Sequence, residues 1–258
     1  MTDSTDRPRS ASGRRKPPEF RNMQVLRTEH LTPHMVRVTF GGDDLAGLVV
    51  DEPAASVRVL LPMPGTGELV VPEWNGNEFL LPDGNRPPIR TFTPRRAEDG
   101  ELDIDMVIHE GGLASTWALQ APPGDPAAVS GPGRGYTIDP GASGYLLAGD
   151  ETAIPAISQL LEAIPSAIPV QVHVEVAAAE ARLDLPGSAE EEWHLGTGDP
   201  GATLVDAVAA TDITESNRVW CAGEAAAMHK IRNNLFKERG LPRSIATVRG
   251  YWKRPRPG

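Results

Sequence analysis

The sequence predicts an all-β barrel domain followed by an α/β domain with a parallel sheet. Three observations point there. Up to about residue 139 the apolar residues fall in short alternating runs separated by Gly- and Pro-containing breaks, the pattern of a barrel or sandwich. From Tyr145 onward, short continuous apolar or β-branched runs alternate with helical patterns, which indicates parallel strands buried on both faces. The change of pattern falls at Pro140-Gly141-Ala142-Ser143-Gly144, a hinge-like stretch.

In the first half, Met23-Gln24-Val25-Leu26-Arg27, Met35-Val36-Arg37-Val38-Thr39-Phe40 and Ser56-Val57-Arg58-Val59-Leu60-Leu61 read as strands, the later two closed by Gly41-Gly42 and Pro62-Met63-Pro64-Gly65. Residues 90–95 and 102–109 add two more, the latter alternating through Leu102-Asp103-Ile104-Asp105-Met106. Residues 114–120 have helical propensity and stop at Ala121-Pro122-Pro123-Gly124; residues 127–130 form a last short strand. In the second half, strands are expected at 145–148, 170–176 and 217–222, with helices at 154–163 and 225–239, the last ending at Gly240. The expected organisation is a disordered Ser/Arg/Pro-rich tail over residues 1–18, a barrel domain over 19–139 and an α/β domain over 145–258.

Composition narrows the function classes. The chain has 258 residues, 40% of them apolar, enough for two modest cores. No apolar run approaches a bilayer span, and the N-terminus lacks the apolar core of a signal peptide, so a soluble cytoplasmic protein is expected; a monomer is the separate expectation for its assembly. A single cysteine, Cys221, excludes an intramolecular disulfide framework. The net charge is −10, but residues 230–258 carry nine Lys and Arg against Glu238 alone. An acidic body repels nucleic acid and anionic membrane, whereas the basic end can hold a compact anion or simply be a solvated end.

Five segments carry potential chemistry. Arg90-Thr91-Phe92-Thr93-Pro94-Arg95 offers two guanidinium forks and two hydroxyls to a phosphorylated cofactor, although an edge strand with surface Arg and Thr looks the same. In His109-Glu110-Gly111-Gly112-Leu113-Ala114-Ser115-Thr116, a strand runs through glycines into a helix whose first N–H groups and hydroxyls could meet an anion; ordinary capping by Ser115 or Thr116 reads equally well. Gly149-Asp150-Glu151-Thr152 occupies the strand-to-helix turn where open α/β sheets bind ligands, with Pro155 tolerated in the first helical turn. Cys221-Ala222-Gly223-Glu224 repeats that arrangement, its cysteine reading as core. Arg249-Gly250-Tyr251-Trp252-Lys253-Arg254 could stack aromatics on a flat ring beside cations, or pack as a C-terminal strand. Pro33 breaks the spacing of His30 and His34, and His109, His173, His194 and His229 lack ligand-spaced neighbours, so no protein-bound metal is expected.

Taken together, these segments resemble the siderophore-interacting protein family, the flavin-dependent ferric-siderophore reductases of the ferredoxin–NADP reductase-like superfamily. Residues 90–95 are similar to its R-x-Y-T-x-R flavin strand, with Phe92 in place of Tyr. Residues 149–157 are similar to G-D-E-T-A-L-P-A-I, with Ile154 in place of Leu; Ala222-Gly223-Glu224 and Gly250-Tyr251-Trp252 match its A-G-E and G-Y-W. The resemblance implies FAD, with Arg90 on the pyrophosphate opposite the N–H groups of Ala114, Ser115 and Thr116, Phe92 against the isoalloxazine and Thr93 near its N5. Thr91, Arg95, His109, Tyr251 and Trp252 would complete the cofactor site. Gly149, Asp150, Glu151 and Thr152, with Ala222, Gly223 and Glu224, would face a nicotinamide.

The implied reaction takes electrons from NAD(P)H or reduced ferredoxin through FAD to a ferric siderophore, releasing Fe(II); no nucleophile or general base is required. Arg249, Lys253 and Arg254 would receive the anionic chelate. Arg182 and Arg218 are available for a 2′-phosphate. A flavin oxidoreductase with another acceptor, or a non-catalytic ferric-chelate binder, are the competing readings.

Overall fold

A computed structural model of the protein describes residues 19–254; the expected disordered tail and the last four residues of the basic C-terminal segment lie outside the described residues. In chain order the first half contains β1 (Arg21–Thr32), β2 (Met35–Gly41), β3 (Val57–Leu60), the small hairpin β4 (Glu73–Trp74) and β5 (Phe79–Leu80), β6 (Ile89–Phe92), β7 (Pro94–Glu98), β8 (Glu101–Val107), α1 (Leu113–Ala118) and β9 (Pro126–Ser130). The second half contains β10 (Gly144–Asp150), α2 (Ile154–Ala163), β11 (Val170–Val176), β12 (Glu190–Leu195), α3 (Ala202–Ala210), β13 (Asn217–Glu224), α4 (Ala225–Asn233) and β14 (Ala246–Trp252).

Seven strands of the first half form one antiparallel sheet in the order β6-β3-β9-β1-β2-β8-β7. Its two edges, β6 and β7, are neighbours in sequence, separated only by Thr93. Two opposite edges joined by one residue force the sheet to curl back on itself as a half-closed barrel. The single strand expected over residues 90–95 is therefore corrected to two strands, broken where Pro94 lacks the N–H a continuing ladder needs. The interior is filled by Val38, Phe40, Val59, Leu102, Ile104 and Val129. Trp117 of α1 closes one end, stacked on Phe40 with ring centroids 6.0 Å apart and planes 5° from parallel.

The second half is a parallel five-stranded sheet, β12-β11-β10-β13-β14. Every residue of the central β10 is buried. Tyr145 and Leu147 face a layer with α2, while Leu146 and Ala148 face the layer of α3 and α4. This is the two-sided burial that a continuous apolar run predicts. The α2-side core also contains Met35 and Ala54 of the first half, so packing is continuous across the junction. β12 and α3 were not expected from the sequence. Residues 225–239 are helical as expected, but the last turn, Asn234–Glu238, is a π-helix. Among the described residues no helix is long and apolar enough to cross a membrane.

Candidate functional site

The two halves meet at the break between β6 and β7. Thr93 is buried, and its hydroxyl lies 3.5 Å from the phenol oxygen of Tyr251 on β14. Gln159 of α2 bridges the same junction, donating from Nε2 to Pro94 O (2.7 Å) and accepting at Oε1 from Ala54 N (2.9 Å). Arg95 forms a forked pair with Glu162 of α2, at 2.5 and 3.2 Å. The two arginines of the segment thus have different jobs: Arg95 ties the domains, whereas the guanidinium of the exposed Arg90 has the neighbouring Ile89 carbonyl as its one partner among the described residues. Thr91 is exposed beside it. Phe92 is half-buried and packs against the barrel core.

At the start of α1, Ser115 turns out to be structural. Its buried hydroxyl accepts from His109 N (3.1 Å) and donates to Val107 O (3.2 Å), closing the strand-to-helix turn. Neither expected capping role is seen: Gly112 is the N-cap and no side chain caps the helix. Thr116 N–H is already bonded to Gly112 O (2.8 Å), which corrects its assignment as an anion donor. The N–H groups of Leu113, Ala114 and Ser115, at the helix start, have no carbonyl one turn behind them. The His109 ring lies where a Cβ on Gly112 would fall, 2.5 Å from its Cε1.

At the carboxyl ends of the parallel strands, Gly149 permits close packing: a Cβ there would lie 2.4 Å from Ala153 Cβ and 2.8 Å from Ala222 O. Asp150 is buried, and its carboxylate accepts from Thr152 N (3.0 Å), Thr152 Oγ1 (2.5 Å), Glu224 N (2.9 Å) and Trp252 Nε1 (2.7 Å). Burial pushes its pKa up against the pull of these donors. Gly223 is required because a Cβ would approach Asp150 Oδ2 to 2.6 Å. Glu224 caps α4 by accepting from Ala226 N and Ala227 N, and Glu151 accepts from Ala177 N at 2.6 Å. These residues come together as expected, but mainly to brace one another. Tyr251 stands edge-on to Trp220, with centroids 6.2 Å apart, while Trp252 is partly exposed.

The expected anion pocket is corrected at one residue. Arg249 donates to Ala54 O (3.2 Å), Arg134 O (3.3 Å) and Gly135 O (2.8 Å), so its guanidinium staples the domains. Lys253 and Arg254 are exposed, the latter reaching Gly198 O at 3.4 Å. Arg218 pairs with Asp139 at 2.6 Å near the amino end of β13, away from the carboxyl ends of the parallel strands; Arg182 follows β11 at its carboxyl end and is exposed. The donor set suits a flavin dinucleotide: an exposed guanidinium without a carboxylate partner among the described residues, helix-start N–H groups and a hydroxyl at the domain junction.

The structure also brings together residues that sequence spacing had separated. His173 and His194 lie 3.1 Å apart with Glu192 beside them, correcting the expectation that these histidines lack ligand-spaced neighbours. The available signal was Glu192-Trp193-His194, two apart on one strand face. It was hidden because Glu190-Glu191-Glu192 does not read as a buried strand.

Comparison with known proteins agrees with this architecture. Residues 24–136 match the siderophore-interacting FAD-binding domain, and residues 142–255 match the siderophore-interacting protein domain. The NADPH-dependent ferric-chelate reductase of Escherichia coli is 35% identical over 242 residues, covering 90% of this chain and 92% of the relative. Ferric vibriobactin reductase ViuB of Vibrio cholerae is 31% identical over 245 residues, covering 91% and 89%. A siderophore utilization protein from T. fusca superposes with a TM-score of 0.82 at 38% identity, covering 93% of this chain and 94% of the other. With a curled antiparallel sheet leading into a parallel one, in the manner of ferredoxin–NADP reductases, the chain belongs to the siderophore-interacting protein family.

Proposed function

We propose that this chain is an FAD-dependent reductase of ferric siderophores, taking electrons from NAD(P)H, with reduced ferredoxin as the other candidate donor, and releasing the metal as Fe(II). The observation that carries this reading is the approach of Thr93 to Tyr251 at 3.5 Å. It sets the strand expected to hold flavin against the strand next to β13, whose carboxyl end is the expected nicotinamide site. When bound, FAD supplies acceptance of a hydride and release of its two electrons singly. Arg90 would neutralise the pyrophosphate, helped by the N–H groups of Leu113, Ala114 and Ser115, and Thr93 would present its hydroxyl to the ring edge.

The ferric chelate is the substrate and brings its own oxygen ligands. One hydride from NAD(P)H balances two ferric chelates, giving two Fe(II), NAD(P)⁺ and one proton. The less charged ferrous ion is held more weakly by hard oxygen donors and leaves. Lys253 and Arg254 offer the cationic face that an anionic chelate needs. No side chain has to act as nucleophile or general base.

The test is anaerobic. The FAD-loaded protein should bleach with NADPH, NADH or reduced ferredoxin, then recover its oxidised absorbance when ferric siderophore is added, with Fe(II) trapped by a ferrous-specific chelator. A chain that takes up no FAD, or whose reduced flavin the ferric chelate does not reoxidise, overturns the reading.

A further inference from the structure

On the α3 side of the sheet edge, the parallel register sets His173 of β11 opposite Glu192 of β12, and His194 follows on the same face two residues later. The three potential donor atoms form a tight triangle. His173 Nδ1 is 3.1 Å from His194 Nε2 and 3.6 Å from Glu192 Oε2, and the last two atoms are 4.0 Å apart. A tetrahedral ion with bonds of ~2.0–2.1 Å spaces its ligands about 3.3–3.4 Å apart, inside that range.

The outer hydrogen bonds set the ring chemistry. Thr211 Oγ1 donates its one proton to Ala207 O (2.9 Å), so the contact with His173 Nε2 at 3.2 Å has the ring nitrogen donating. That leaves the Nδ1 lone pair directed at the triangle, the second-sphere arrangement found behind metal-ligating histidines. The triangle opens on a cleft of about 610 Å³ lined also by Thr203, Asp206 and Asp212, so further coordination positions are accessible to solvent.

We propose that His173, Glu192 and His194 bind a first-row divalent transition-metal ion of the Zn²⁺/Fe²⁺ class, in a three-ligand site that leaves at least one position exchangeable. The nitrogen-rich set selects against Mg²⁺ and Ca²⁺, which take oxygen ligands. This site is made by β11 and β12 alone and stands whether or not the flavin reading does.

The experiment uses the tag-free, chelator-treated full chain. Co²⁺ is titrated while its visible ligand-field absorption is followed, with Zn²⁺, Fe²⁺ (anaerobic) and Mg²⁺ as competitors, and with E192Q and H194A as variants. The expected result is one saturable Co²⁺ site displaced by Zn²⁺ more readily than by Fe²⁺ and untouched by Mg²⁺. Each substitution should weaken it at least ~10-fold, with the thermal unfolding midpoint showing that the variants fold. Absence of saturable submillimolar binding, or an affinity left unchanged by either substitution, overturns the proposal.

Discussion

The indole nitrogen of Trp252 donates to Asp150 Oδ2 at 2.7 Å, joining the last residue of β14 to the last residue of β10 across β13. The same oxygen accepts Glu224 N at the end of β13, so one carboxylate gathers the carboxyl ends of three adjacent strands. Asp150→Ala would leave the buried Glu224 N–H unpaired. A loss of about 3 kcal/mol in urea unfolding at pH 7 is expected. Trp252→Phe removes one donor while the others remain, and should cost about 1 kcal/mol.

Arg249 and Lys253 are four residues apart and should behave oppositely. Arg249 holds three carbonyls across the domain junction. Arg249→Ala should lower stability by about 2 kcal/mol and reduce the turnover of anionic and neutral ferric chelates alike. Lys253 is exposed. Lys253→Ala should leave the unfolding midpoint unchanged and raise KM several-fold for an anionic chelate only. Steady-state kinetics with one chelate of each charge separates the two effects.

Arg90 is the exposed cation of the flavin strand. Arg90→Ala should weaken FAD binding roughly 10- to 100-fold, the loss of one charge-assisted contact to phosphate. Flavin fluorescence titration measures it, and unfolding of the apoprotein should be unaffected. Arg95→Ala, by contrast, removes the partly exposed pair with Glu162 and should cost about 1 kcal/mol of stability.

Complete burial pushes the Cys221 thiol up to about 12. The native protein should therefore resist thiol-reactive disulfides at pH 8 and react once per chain when unfolded. Because the folded-state pKa lies above the unfolded value, the thiol's contribution to stability is fully present below about pH 8.5 and is lost as pH rises toward 12. Unfolding of Cys221→Ala measured over that range should show a shallower alkaline decline.

Much of the fold was readable from local pattern. The helix over residues 154–163 and the strand over 170–176 coincide with α2 and β11, because apolar periodicity, Pro155 and a β-branched run all act within a short window. α3 and β12 were missed: one is a short Ala-rich segment, and the other opens on three glutamates at a sheet edge, where solvent tolerates polar side chains. The strand expected over 90–95 was broken because barrel closure needs its two halves on opposite edges, a demand of the whole sheet.

The chain's own residue order was enough to establish a β half before an α/β half, the segments bearing cations and hydroxyls, and the family likeness. Tertiary structure alone decided what those side chains touch. A guanidinium's forked donors can hold a phosphate, a carboxylate or backbone carbonyls. The carbonyl that Arg249 meets at Ala54 lies 195 residues away, and no local pattern encodes that distance. The pairing of His173 with His194 likewise exists only because two parallel strands adopted one register.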